Sequence, residues 1–241
     1  MNKLNLSLAL ALLLSPVAGK SGQLVELFTS QGCYSCPPAD KLLGELIEEQ
    51  PDLVALEFHV DYWDDLHYGA AGVWKDPFSD ASYTLRQRRY NSTDLDGKRG
   101  VYTPQMIVNG RIAQVGSSER AVRHALNSDA PEIDLTASIE ADQLSIDING
   151  ERESGSILWL AVFDRVQVTE VTNGENHGKT MVNHHVVREL VPLGQWQGDK
   201  ISHTVQLAAL SREVTATGNT SCAVFLQDQT LGSIRGATYC K

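Results

Sequence analysis

The stretch Leu24-Val-Glu-Leu-Phe-Thr-Ser-Gln-Gly-Cys-Tyr-Ser-Cys-Pro-Pro38 constrains the fold of this chain more than any other. An apolar run of strand length breaks at Gly32, presents Cys33 and Cys36 two residues apart, and passes through two prolines into the helical pattern Ala39 to Gln50. Two intervening residues let one turn of helix bring both sulfurs into disulfide range. On this pattern Cys33 stays uncovered at the helix start and Cys36 sits a turn further in. Free amide N–H groups and the positive end of the helix dipole favour a thiolate there, which makes Cys33 the nucleophile of the pair. Pro37 and Pro38 fit a first turn, whose N–H groups have no intrahelical partner to lose. The plainer alternatives are a structural disulfide or half of a metal site. A zinc site needs a second ligand pair at close spacing, and the nearest histidines, His59 and His67, are eight residues apart.

The first nineteen residues carry one early lysine, an apolar core from Leu4 to Leu14 and a small-residue end, Ser15-Pro-Val-Ala-Gly19. They read as a secretory signal peptide cleaved near Gly19, the apolar run being short for a bilayer span. Export places the four cysteines where disulfides persist, so the expected address is secreted or periplasmic, with no membrane span after cleavage. A formal net charge of -10 argues against nucleic acid or an anionic membrane as partner.

Leu53 to Tyr62 is a second apolar strand, so strand, helix and strand form a βαβ unit with a parallel pair. On it, His59 points opposite to Phe58 and Val60, as a core histidine or toward a cleft. Trp63 to Asp80 reads as a long loop with unusual aromatic and acidic content. Ser79 or Asp80 caps a helix from Ala81 to about Asn91, on which Arg86, Arg88 and Arg89 form a solvated basic face. Met106–Asn109 and Arg111–Val115 flank an Asn109-Gly110 turn, a hairpin signature. Pro104 belongs at a strand start or edge, and the Thr103–Pro104 bond is open to the cis form. Ser117-Ser118-Glu119 caps a third helix.

This order, with CxxC opening the first helix and Thr103-Pro104 before the hairpin, resembles the short core of the thioredoxin superfamily. Leu27 to Asp40, Phe58 to Asp64, Asp76-Pro-Phe78, Arg86-Gln87 and Tyr102-Thr-Pro-Gln105 are similar to the secreted thioredoxin-like family catalogued as domain of unknown function 1223. The resemblance implies a cis-proline loop facing the cysteines across a substrate groove bordered by Tyr34, Ser35, Thr103, Pro104, Asp61, Tyr62, Trp63 and Asp64. Tyr34-Ser35 replaces the Gly-Pro of ordinary thioredoxins, so redox poise does not transfer. The carboxylates of Asp61 and Asp64 either tune a thiol and relay its proton, or cap loop amides while Tyr62 and Trp63 cover the core.

After Pro131 short alternating segments dominate: Ile133–Ile139, Leu144–Ile148, Ser156–Val168, His184–Leu190, Ile201–Leu207 and Cys222–Gln227. Turns are read at Asn149-Gly150, Asn173-Gly174, Leu193-Gly194 and Gly218-Asn219. The expected organisation is a signal peptide (1–19), an α/β thioredoxin-like domain (20–130) and a mostly antiparallel β-sandwich-like domain (131–241). Cys222 and Cys240 are expected to pair as a structural staple, the alternatives being free cysteines or pairing with Cys33 and Cys36. His177, His184 and His185 invite a metal hypothesis, but adjacent strand residues face opposite ways, and no metal site is assigned.

The function expected is exported thiol–disulfide exchange with protein thiols or disulfides of the cell envelope through Cys33 and Cys36, with no diffusible cofactor. The opposing expectation is a non-catalytic binding or adaptor protein, with a permanent Cys33–Cys36 disulfide or a copper(I) site. No Gly-rich phosphate loop, Gly-x-Ser-x-Gly elbow or HExxH helix supports another enzyme class.

Overall fold

The computed structural model describes residues 21–128, 131–150, 155–198, 200–210, 214–215 and 218–241. The segment read as a signal peptide lies outside them. The first strand, β1 (Leu24–Thr29), leads into helix α1 (Pro37–Glu49), which returns to β2 (Val54–His59). β1 and β2 pair in parallel over their whole length, from Leu24 opposite Val54 to Thr29 opposite His59. Strand alternation then divides the side chains between two layers. Leu24 and Phe28 with Val54, Leu56 and Phe58 pack on α2 (Ala81–Tyr90), whereas Val25, Leu27 and Ala55 pack on α1 and α3 (Glu119–Ala125). Fully burying each such aliphatic or phenyl group contributes roughly 1.5–3 kcal/mol.

Asp80 caps α2 by accepting from the Ser82 N–H at 2.7 Å. The hairpin of β4 (Gln105–Val108) and β5 (Ile112–Val115) turns at Asn109 and Gly110, both in left-handed conformation with φ of 50° and 67°. Thr103–Pro104 is cis. At α3 the capping expectation is corrected: Ser118 holds the N-cap position but its side chain makes no capping bond.

β3 (Asp96–Gly97) pairs with β5 at one edge of the large sheet. The later strands are β6 (Asp134–Glu140), β7 (Gln143–Asn149), β8 (Ser156–Glu170), β9 (Thr180–Trp196), β10 (Ile201–Gln206), β11 (Thr220–Asp228) and β12 (Ile234–Tyr239). Four of them extend the first sheet, giving nine strands among the described residues, in the order β12-β11-β8-β9-β2-β1-β4-β5-β3. The separate β domain expected from residue 131 is therefore corrected: one mixed sheet crosses that position, and among the described residues β10, β7 and β6 form a second, antiparallel sheet. That sheet buries Leu135, Leu144, Ile146 and Ile148 against Leu158, Leu160, Val162 and Val224 of the larger one. Leu193-Gly194 is not a turn; it lies within β9, where the register with β8 shifts beside Leu158. The Cys222–Cys240 disulfide joins β11 to the chain end, with Cα atoms 5.3 Å apart.

The basic face expected on α2 is also corrected. Arg88 and Arg89 are exposed, but Arg86 is buried, because helical periodicity turns it with Tyr83 and Tyr90 toward the sheet. Its Nε donates to Glu26 Oε1 at 2.6 Å and its Nη2 to Gln227 Oε1 at 3.0 Å. Its guanidinium carbon lies 5.1 Å from the Tyr90 ring centre and 5.5 Å from that of Phe225. Removing one partner of such a pair strands a charge away from water. Arg86→Met is expected to cost about 3–5 kcal/mol in urea unfolding, and Arg86→Met with Glu26→Gln to recover part of it. A loss under about 1 kcal/mol for the single variant, the level of an exposed pair, would contradict this.

Candidate functional site

β1 ends at Thr29, and the chain reaches α1 through a tight turn. Cys33 N–H donates to Ser30 C=O at 3.1 Å, Gly32 N–H to Ser30 Oγ at 3.0 Å and Cys36 N–H to Cys33 C=O at 3.2 Å. Cys36 occupies the N-cap of α1, with Pro37 and Pro38 in its first turn. The two cysteines are joined as a disulfide with Cα atoms 5.4 Å apart.

The cis-proline loop comes to the same place. Trp63 Nε1 donates to Thr103 Oγ1 at 2.8 Å, and a Cβ at Gly32 would stand 3.1 Å from Trp63 Cβ. Trp63 thus spans from the turn before Cys33 to the residue before Pro104. A Cβ at Gly116 would meet Ala39 Cβ at 3.0 Å and Pro104 Cβ at 3.1 Å, so a residue without a side chain lets the proline approach the first turn of α1.

One central expectation is overturned. Cys33 is 0% exposed, as is Cys36, so the sulfur expected to be the nucleophile does not lie open at the helix mouth. From the C-terminal half, β8 and β9 run out into a hairpin whose tip, residues 171–179, is hydrogen-bonded to the turn. Asn176 is wholly buried, and its Nδ2 donates to Gln31 C=O at 2.8 Å and Cys33 C=O at 2.9 Å. Glu175 Oε2 accepts from Tyr34 N–H at 2.8 Å. Lys179 Nζ lies 4.4 Å from the Tyr34 ring centre and donates to Asn176 Oδ1 at 2.8 Å. Tyr34 itself is 65% exposed and Ser35 is exposed, with Ser35 Oγ 3.4 Å from Cys33 Sγ.

Beneath the turn lies a buried ionic cluster that sequence reasoning missed, apart from His59 itself. His59 faces the α1 layer, with Nδ1 2.7 Å from Asp76 Oδ2 and Nε2 3.2 Å from Glu57 Oε1. Burial works against the imidazolium, but Asp76 and Glu57 outweigh it and push the pKa up to about 10. Burial likewise opposes ionisation of Asp76; His59 and the N–H donors of Gln31 and Phe78 overcome this and hold it below the ordinary carboxylate range. Asp40, one helical turn after Cys36, is raised well above that range by burial and by the neighbouring Glu57 charge, despite the hydroxyl of Thr29 donating to Oδ1 at 2.7 Å.

Gln31 ties these layers together. Its N–H donates to Asp76 Oδ2 at 2.7 Å and its Nε2 to Asn183 Oδ1 at 2.9 Å. Asn183 in turn donates to Glu57 Oε1 at 2.6 Å, and His184 N–H to Glu57 Oε2 at 2.7 Å.

Asp61 and Asp64 serve the loop. Asp61 Oδ1 accepts from Thr84 Oγ1 at 2.5 Å, and Asp64 accepts from Asp76 N–H at 3.2 Å and Ser79 Oγ at 2.7 Å. Tyr62 Oη donates to Gln87 Oε1 at 3.3 Å. The three histidines diverge. His177 Nδ1 contacts Thr172 C=O at the hairpin tip, and His184 Nε2 lies 2.7 Å from where a Gly44 Cβ would sit. His185 is tilted against Phe163 at 4.4 Å, and burial lowers its pKa to about 4. Among the described residues no three His, Cys, Asp or Glu side chains are grouped to hold a metal ion, and no helix is long and apolar enough to cross a membrane.

A family model described as "Protein of unknown function (DUF1223)" matches residues 24–227. The chain is similar to the crystal structure of protein AGR_C_4864 from Agrobacterium tumefaciens, at 30% identity and a TM-score of 0.76, over 92% of this chain and 94% of that one. A domain of the outer membrane lipoprotein Omp28 from Porphyromonas gingivalis aligns at 14% identity and a TM-score of 0.27, over 46% of this chain and 85% of that one. No curated protein matches the chain.

The ionic cluster has a pH signature. His59 has a folded pKa near 10, above its ordinary 6.5, so its contribution to stability is complete below pH 6.5 and is lost as pH rises toward 10. Urea unfolding across pH 6.5 to 10 is expected to show falling stability, and His59→Gln, already weakened, a flatter profile. Parallel profiles for the two proteins would contradict the imidazolium assignment.

Proposed function

The chain belongs to the DUF1223 family, and on that premise we propose that it is an exported thiol–disulfide oxidoreductase-like protein with a thioredoxin-like core, exchanging disulfides with cell-envelope proteins through Cys33 and Cys36. The observation that carries the proposal is the placement of a CxxC disulfide between the end of β1 and the first turn of α1, beside the cis Thr103–Pro104 bond. The order of attack follows from position. Reduced Cys33, as thiolate, attacks a partner disulfide: a Cys33–partner S–S bond forms, the partner bond breaks, and the released partner sulfur takes a proton. Cys36 then attacks Cys33 Sγ, re-forming the ring disulfide and releasing the second partner thiol, so that the partner gains the two electrons the pair loses. Run backwards, the same steps oxidise a partner dithiol. The amide groups opening α1 favour the thiolate at each stage. Both intramolecular disulfides are consistent with the oxidising compartment that export implies.

Burial of both sulfurs favours a second reading, in which Cys33–Cys36 is a permanent bond and the molecule is a binding or adaptor protein, or takes up copper(I) when reduced. One titration separates the two. Equilibrated with glutathione or dithiothreitol buffers, alkylated and mass-analysed, the Cys33–Cys36 pair is expected to cycle in the range of known exchange proteins, roughly −120 to −270 mV, while Cys222–Cys240 stays oxidised. A potential below about −300 mV with no turnover of a disulfide substrate would establish the adaptor reading instead, and copper binding abolished by Cys33→Ser would establish its metal form.

A further inference from the structure

Beyond the pair itself, we infer that the β8–β9 hairpin tip occupies the place of the partner's polypeptide chain, so that exchange is gated by displacement of residues 171–179 and the partner is an extended peptide segment rather than a small thiol. The inference rests on exchange at Cys33–Cys36 as proposed.

The groups that the tip satisfies are main-chain groups of the cysteine turn. Asn176 gives its carboxamide N–H groups to the carbonyls of Gln31 and Cys33, and Glu175 takes the N–H of Tyr34. Two acceptors and one donor within residues 31–34 are what a second chain pairs with when it adds its own peptide groups. Asn176 supplies the amide chemistry of a peptide bond, from within the same chain. With the tip withdrawn, those groups turn to water or to the peptide groups of an arriving chain.

The tip is also built to leave. β11 ends opposite Asp164, so from Val166 onward the β8–β9 ribbon is two-stranded among the described residues. Two-stranded ribbons are marginal by themselves. The tip closes on Val171 N–H to Lys179 C=O at 2.9 Å and Gly178 N–H to Val171 C=O at 2.8 Å. Gly174 and Gly178 hold positive φ of 75° and 80° and absorb changes of direction that other residues resist. Gly174 N–H donates to Ala71 C=O at 2.8 Å in the loop after β2, which holds the tip from its other side.

In the closed state no reductant reaches Sγ33, so the observed rate is the intrinsic rate multiplied by the open fraction. Removing the two Asn176 hydrogen bonds raises that fraction, and Asn176→Ala is expected to speed reduction of Cys33–Cys36 by dithiothreitol at least about tenfold. Glu175→Gln, which keeps the shape but weakens the acceptor, is expected to speed it about threefold and stands in should Asn176→Ala fail to fold. Unfolding in urea, run in parallel, confirms that each variant remains folded. A peptide carrying an exposed disulfide, offered to the reduced wild type, is expected to react at least about tenfold faster than 2-hydroxyethyl disulfide, which has no amide groups, because only the peptide replaces the tip's hydrogen bonds. Equal rates for wild type and both folded variants would overturn the plug and leave exchange standing. Equal rates for peptide and 2-hydroxyethyl disulfide would overturn the peptide assignment. A folded protein whose pair resists reduction in every variant would overturn both the plug and the exchange it rests on.

Discussion

A single imidazolium held between two carboxylates, all out of reach of water, is the constraint around which this molecule is arranged. His59 lies between Asp76 and Glu57 with none of the three exposed by more than 2%. His59 Nε2 makes no hydrogen bond among the described residues and has only the Glu57 charge 3.2 Å away, but burying three such charges is tolerated only when most of their lone pairs and protons are met. Meeting them recruits distant chain: Asp76 takes the Gln31 and Phe78 N–H groups, and Glu57 takes Asn183 and the His184 N–H. The turn before Cys33, the long loop after β2 and the start of β9 are thereby fixed to one another by side-chain chemistry. Backbone pairing alone would do so weakly, because β2 and β9 share only the register pair Glu57 and Val186.

From that junction the rest follows. β9 held against β2 sends the β8–β9 hairpin across the first turn of α1, where Asn176 meets the carbonyls of Gln31 and Cys33. The C-terminal half is thus bonded directly to the turn that carries the cysteines. The same geometry closes the sulfurs in the oxidised state, so movement of the tip is a requirement of exchange on the proposed mechanism. The open edge beyond β11 gives that movement room.

Much of the N-terminal half was legible in sequence because its signals are local. The apolar run into Gly32, the prolines after Cys36, the Asp80 cap and the Asn109-Gly110 turn each determine structure within a few residues, and each stands where sequence placed it. What escaped was set by contacts far apart in the chain. Arg86 reads as one of three arginines on an ordinary solvated helix face, and only Glu26 and Gln227, 60 and 141 residues away, reveal why it is buried. Asn176 carries no local signature at all. Glu57 did: in an apolar strand it alternates with Leu56 and Phe58 on the same side as His59, and two ionisable residues on one buried face of a strand demand partners. Strand alternation likewise anticipated that His184 and His185 would part, but periodicity says nothing of which sheet a strand will join, and so the β segments after Pro131 read as a separate body.

The most direct test of the account is the structure of a trapped exchange intermediate, made by joining a cysteine-containing peptide to Cys33 in a Cys36→Ser variant. The expected structure is a mixed disulfide at Cys33 with the 171–179 tip displaced and peptide N–H groups donating to the carbonyls of Gln31 and Cys33. A peptide attached while Asn176 still holds both carbonyls, or failure of Cys33 to form any adduct in the folded protein, would contradict it.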